Sequence, residues 1–237
     1  MSTLDELLLV QERDLALDRL RHRRTSLPER SELAARETDA ARVDAEVKEL
    51  QRGRDEVLSE ERRLDDEARS MAERVREMEQ RLYSGTISSP RELQAMQADV
   101  DMLKRNREGI EDNELEFMEQ RERFDQQLAT AEATLAELRA EVERLRAAIA
   151  DAEREIDAET AVEEEARADH ATRVTPSLLA DYERRRGHNR GAGAARLIGD
   201  TCQACHLSIP STEVENIRRA PEGSISYCDN CGAILVP

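Results

Sequence analysis

The sequence predicts a mostly α protein: a long antiparallel coiled-coil helical hairpin, followed by a small ribbon that is β-rich with one short helix. Three observations predict it. Charged residues make up 38% of the 237 and aromatics only 2%, too few rings to build a large round core. Apolar residues recur at alternating steps of three and four through most of residues 43–156, the period of a coiled-coil seam. All four cysteines fall in the last 36 residues, as two C-x2-C pairs.

The first arm reads Val43, Val47, Leu50, Arg54, Val57, Glu61, Leu64, Ala68, Met71, Val75, Met78 and Leu82, with ten of twelve positions apolar. The second runs from Leu93 to Ile156, with sixteen of nineteen apolar; Arg107, Glu114 and Arg121 are its charged members. Between the arms lies "YSGTISSPREL". Gly85 can end a helix in the left-handed conformation. Ser89, Pro90 and Glu92 supply a cap, a first-turn proline and a capping-box acid. So short a loop makes the arms antiparallel neighbours. Folding there sets Arg54 and Glu61 beside Arg107, Glu114 and Arg121, so a polar band is expected, with Glu61 reaching Arg107 or Arg121 and Arg54 reaching Glu114. Such a band disfavours slipped registers; the alternative is that these long side chains reach out to water unpaired. "SLPE" at 26–29 is a second start signal, separating a first helix over residues 3–25, capped at Thr3 with Glu6 as its partner.

The organisation expected is a hairpin over 1–174, with a turn near 84–89 and a break near 26–28. A short helix and basic linker follow over 175–196, then a four-cysteine ribbon over 197–237. No apolar run approaches the roughly 20 residues needed to cross a bilayer, and acids replace the basic start of a signal peptide. A cytoplasmic protein with no membrane association is the expectation. In a reducing compartment, paired C-x2-C motifs suggest metal before disulfide.

Cys202, Cys205, Cys228 and Cys231 form the pattern C-x2-C-x22-C-x2-C. Four thiolates suit one tetrahedral zinc and close its shell, which leaves no position for a reacting water. The expected role is structural, and chelation should unfold the ribbon while sparing the rod. The spacer accommodates "STEVENIRR", read as a helix capped by Ser211 or Thr212. Leu207–Ile209, Ile225–Tyr227 and Ile234–Val236 are the candidate strands. His206 adjoins Cys205 but is not needed as a ligand.

The net charge is −17, yet "RRRGHNRGAGAAR" at 184–196 holds five arginines and no acid. Thr175 and Pro176 open a helix whose last turn carries Arg184, Arg185 and Arg186, where they complement the helix dipole. Gly187, Gly191 and Gly193 read as a flexible linker. A second reading is a phosphate-binding patch of Arg184, Arg185, Arg186, Arg190 and Arg196, with Arg218 and Arg219, which would track RNA or DNA. A third is docking of this basic hinge on an acidic protein, or on the chain's own acidic rod.

The rod, the segment "LYSGTISSPRELQAMQADVDMLKRNREGIEDNELEFME" and the ending "YCDNCGAILVP" together resemble the bacterial C4-type zinc-ribbon family with an amino-terminal coiled-coil hairpin, long described as a domain of unknown function. The resemblance covers nearly the whole chain and implies zinc ligands at the four cysteines. It also implies a nonenzymatic adaptor with a protein partner; RNA or DNA binding at the basic hinge is the alternative. No phosphate loop or nucleophile motif points to catalysis. Two arms that satisfy each other's seam permit a monomer, and their outer faces leave room for a dimer.

Overall fold

The structure is a computed structural model that describes residues 2–189, 191–221 and 223–237. The elements are α1 (Thr3–Thr25), α2 (Pro28–Tyr83), α3 (Pro90–Thr172), α4 (Pro176–His188), β1 (Ala194–Ile198), β2 (Thr201–Cys202), α5 (Ser211–Arg219), β3 (Ser226–Tyr227) and β4 (Ile234–Val236). None of these helices is long and apolar enough to cross a membrane. Two compact units result: residues 33–144, and residues 1–32 with 145–237.

The first unit is the hairpin. Its seam buries Val43, Val47, Val57, Leu64, Ala68, Val75 and Leu82 from α2, and Val100, Leu128, Ala131, Leu135 and Val142 from α3. These are the positions the three-and-four period selects. Gly85 takes φ 72° in the turn, and the Glu92 amide donates to Ser89 Oγ at 3.5 Å where α3 begins. Of the expected polar band, one cross-arm pair forms: Arg121 donates to Glu61 at 2.8 Å. Arg54 turns to its neighbour Asp55 at 2.7 Å rather than to Glu114, and Arg107 pairs with Glu111 at 3.2 Å. A long side chain at the seam edge reaches a solvated acid on its own helix without being desolvated.

The second unit combines α1, α4, the end of α3 and the ribbon. Its four-stranded sheet has the order β2-β1-β4-β3. β1 and β4 are parallel, with Ala194 opposite Ile234 and Arg196 opposite Val236; the outer pairings are antiparallel. One face of the sheet presents Ala194, Ile234 and Val236 to Leu4, Leu7 and Val10 of α1, Leu178 and Tyr182 of α4, and Val174. The other face packs Ala195, Leu197 and Leu235 on Ile209, on Val214 and Ile217 of α5, and on Cys202 and Cys228. A sheet covered on both sides has little room for polar inward residues, which suits the run Ala-Ala-Arg-Leu-Ile.

Four local expectations are corrected. α1 is capped one residue earlier than expected: Ser2 Oγ accepts from the Asp5 amide at 3.2 Å, and Asp5 accepts from the Ser2 amide at 3.0 Å. Aspartate at the third position serves the reciprocal bond as glutamate does. Thr175 precedes α4 but makes no side-chain cap, and α5 begins after Pro210 without one. The candidate strand at 207–209 is reduced to a bridge between Ser208 and Thr201, because His206 at φ 58° turns the chain just before it.

The larger correction concerns the linker. Gly193 is not in a flexible segment: its amide donates to Gln11 Oε1 at 2.7 Å, as the Ala194 amide does at 3.1 Å. Gln11 Nε2 in turn donates to the Gly191 carbonyl at 2.8 Å. Both ends of one buried side-chain amide therefore guide the chain into β1, and the linker expected to reach residue 196 ends within a strand. A Cβ at Gly193 would lie 2.6 Å from both the ring and the carbonyl oxygen of Tyr182. Gly193→Ala is expected to lower stability by about 1–3 kcal/mol through overpacking, read as a lower urea midpoint with unchanged slope.

Candidate metal centre

Two knuckles of like design carry the cysteines. In the first, the His206 amide donates to the Cys202 carbonyl at 2.8 Å, and the Cys202 amide to Leu207 O at 3.1 Å. In the second, the Gly232 amide donates to the Cys228 carbonyl at 2.7 Å, and the Cys228 amide to Ala233 O at 2.9 Å. Each knuckle needs a left-handed residue four positions after its leading cysteine. Gly232 supplies it at φ 75°, and His206 fills the same place at φ 58°. The position of His206 is thus explained by the turn, and it is not among the residues that gather as ligands.

The four Sγ atoms lie within 4.8 Å of one another. Cys202 and Cys231 are 3.9 Å apart, Cys205 and Cys228 3.8 Å. Thiolates bound to zinc at about 2.3 Å in a tetrahedron stand about 3.8 Å apart, so the donor set and spacing fit one structural zinc. Burial raises the Cys202 thiol and pushes Cys231 up to about 12, while a hydrogen bond from the Leu207 backbone lowers Cys205. A dication among these sulfurs offsets the cost of burying their charge.

Each described arginine of the predicted patch meets an acid or a carbonyl of the chain itself. Arg184 donates to Asp181 at 2.6 Å. Arg186 donates to Asp18 at 2.6 Å, and its Nε is 3.8 Å from Asp14. Arg196 is 3.8 Å from Asp5. Arg218 donates to the Gly199 carbonyl at 2.8 Å, and Arg219 pairs with Glu215 on its own helix. Arg190 lies outside the described residues.

Arg185 serves the metal centre. Its Nη1 donates to the Gly232 carbonyl at 2.7 Å and its Nε to Asp181 at 2.9 Å. Its guanidinium stacks 3.7 Å from the centre of the Tyr227 ring, next to Cys228. One side chain therefore ties α4 to the second knuckle, in the manner of groups that orient metal ligands from outside the coordination shell. Arg185→Ala is expected to speed zinc transfer to a chromogenic chelator by about tenfold or more, with Arg185→Lys only partly restoring the rate, since lysine lacks the planar fork.

The sequence reading missed the polar groups buried on α1: Glu6, Gln11 and Asp14. A signal was present, since Leu4, Leu7, Gln11 and Asp14 share one helix face at steps of three and four. Glu6 Oε2 meets His170 Nδ1 at 2.8 Å, with Arg173 3.6 Å from Oε1. The His170 hydrogen bond is the main cause that holds Glu6 below its ordinary range. A depressed carboxylate stabilises above its unfolded value of about 4.3 and loses that contribution as pH falls through the folded value. Glu6→Gln is therefore expected to be less stable than wild type at neutral pH and to converge with it on acidification, as followed by thermal melts across pH.

The CT398-like coiled-coil hairpin domain model matches residues 10–190, and a C4-type zinc ribbon domain model matches 201–235. The chain belongs to the CT398-like family. A relative in Mycobacterium tuberculosis strain CDC 1551, carrying the name uncharacterized protein MT2288, is 29% identical over 230 residues, which is 94% of this chain and 90% of that one. A Mycobacterium smegmatis structure superposes with TM-score 0.85 at 24% identity, covering 99% of this chain and 97% of that one. CT398 from Chlamydia trachomatis gives 0.67 at 17% identity, covering 98% and 96%. Both structural likenesses concern the fold alone.

Proposed function

We propose that this CT398-like protein is a nonenzymatic adaptor whose ribbon binds a protein partner. The observation that carries the reading is that two large apolar side chains stay exposed on the rigid segment that holds the first cysteine knuckle. Ile198 is 57% exposed and Leu207 52%, although both belong to a segment tightly fixed by backbone bonds. Ile198 pairs with Thr201, and the Leu207 carbonyl accepts from Cys202. Large side chains kept in water on a rigid support are the usual mark of a contact site. A metal shell filled by four thiolates supplies structure rather than a reacting position, which also supports a binding role.

The rival reading, RNA or DNA at the basic hinge, draws less support, because the arginines just described are engaged with the chain's own acids and carbonyls. Crosslinking in cells, followed by purification with and without nuclease, separates the two. Proteins that remain after nuclease and are lost from Ile198→Asp/Leu207→Asp support the adaptor. Loss of every partner on nuclease treatment overturns it.

A further inference from the structure

We propose that the groove between α1 and the end of α3 receives a basic amphipathic helix of a partner protein. The groove is lined by Ala16, Arg19 and Leu20 from α1 and by Glu159, Val162 and Glu163 from α3. Neither of the exposed ribbon side chains belongs to it. Leu20 is buried and Ala16 half-buried, so they form an apolar floor. Val162 stands with them and is 65% exposed. Alanine occupies positions 158, 161 and 166 around it. A β-branched valine is a poorer helix former than alanine, and at this exposure burial within the chain returns little to offset that.

Charge selects the occupant. Residues 151–165 hold eight acids and one arginine. Five of the acids are engaged: Asp151 by Arg154, Glu153 by Arg24 and Arg30, Asp157 by Arg24, Glu159 by Arg23 and Glu163 by Arg13. Glu155, Glu164 and Glu165 have no ion-pair partner among the described residues. Glu159 keeps 53% of its side chain exposed and can accept from a second cation. Arg19 is the single cation in the lining. A second copy of this chain carries a net charge of −17, and the described arginines of its basic stretch are already engaged. A basic segment of another protein is the complementary occupant.

The spacing suits a helix. Glu155, Ala158, Val162 and Glu165 are all exposed and recur at steps of three, four and three, so they form one row on α3. The row is about 15 Å long. A partner helix of three turns laid along it sets an apolar face on Val162 and over Ala16 and Leu20. Lysine or arginine at its two ends then meets Glu155 and Glu165. Ion pairs at exposed carboxylates are individually weak, and so short a contact falls below the size of a standard interface. Binding is therefore reversible and weakened by salt.

Fluorescence anisotropy with the full, zinc-loaded chain tests this. The probe is a capped, labelled helical peptide of alanine, leucine and arginine, with its leucines on one face and its arginines flanking them. A scrambled peptide of the same composition is the comparison. The patterned peptide is expected to bind at least fivefold more tightly than the scrambled one. Glu155→Gln/Glu165→Gln should weaken it about three- to tenfold, and Val162→Ser a few-fold; all three positions are exposed. Glu108→Gln/Glu122→Gln, at exposed hairpin positions, should leave it unchanged, as should Ile198→Asp/Leu207→Asp. No binding of the patterned peptide overturns the proposal. Equal binding of the scrambled peptide, or an equal loss in the hairpin variant, assigns the attraction to overall negative charge and overturns it too. A loss confined to the Ile198→Asp/Leu207→Asp variant assigns the peptide to the ribbon instead.

Discussion

Removing the zinc is expected to unfold α1 and α4 together with the ribbon. Structural zinc of this type contributes on the order of 10 kcal/mol to the segment it holds, and so small a sheet has no comparable alternative. The sequence by itself suggests that the loss would stop at the ribbon. The packing extends it, because Ala194, Ile234 and Val236 form one wall of the core that also contains Leu4, Leu7, Val10, Leu178 and Tyr182. Once β4 leaves, these helix faces have nothing apolar to cover them, and a 23-residue α1 or a 13-residue α4 is marginal alone. The hairpin over 33–144 has its own seam and should keep its helices. Hydrogen exchange with and without chelator would show protection lost over 3–25, 176–188 and 194–236 but retained over 43–82 and 100–142. Unchanged protection of α1 in the chelated protein would refute the shared-core account, as would a fully folded Cys228→Ser/Cys231→Ser variant.

The largest single-residue effect outside the metal ligands is expected at Asp14. Its side chain is only 4% exposed. It accepts from Tyr182 Oη at 2.7 Å and from Arg167 Nε at 2.8 Å. Tyr182 is completely buried, and burial, then its bond to Asp14, raises its phenol above the ordinary range. Asp14→Ala leaves a buried hydroxyl without an acceptor and a guanidinium without its main counter-charge. Breaking one side of such a cluster costs about 3 kcal/mol, reduced from the upper range because Arg167 retains Glu183 at 3.2 Å and some access to water. Tyr182→Phe removes one donor and keeps the ring, so about 1 kcal/mol is expected. Urea unfolding should rank the variants Asp14→Ala, then Asp14→Asn, then Tyr182→Phe, from least to most stable. Equal midpoints for Asp14→Ala and wild type would show that the cluster adds no stability.

The polar cluster on α1 also explains why the basic stretch reads ambiguously in one dimension. Arg186 belongs to Asp18, which is 168 positions away in the chain, and Arg185 belongs to the Gly232 carbonyl, 47 away. Of the three readings open at the sequence level, engagement with the chain's own acids describes Arg186 and Arg196. A run of like charges reports only that partners of opposite sign are needed; their source depends on the fold.

The features legible in the sequence were those whose physics is local or periodic. A repeat of three and four places one face of each arm on the seam, whatever the rest of the chain does. Gly85, and Ser89 before Pro90, mark the turn through backbone preference alone. Two C-x2-C pairs name their metal through ligand number and softness. The tertiary structure decided what depends on distant neighbours. Ala194–Ile198 becomes a strand because β4 pairs with it and helices cover it, and Gly193 is held by Gln11 across 182 positions. Short apolar runs and glycine-rich stretches carry too little intrinsic preference to choose between linker and strand. The choice is made by burial and hydrogen bonding that exist only after the chain has folded.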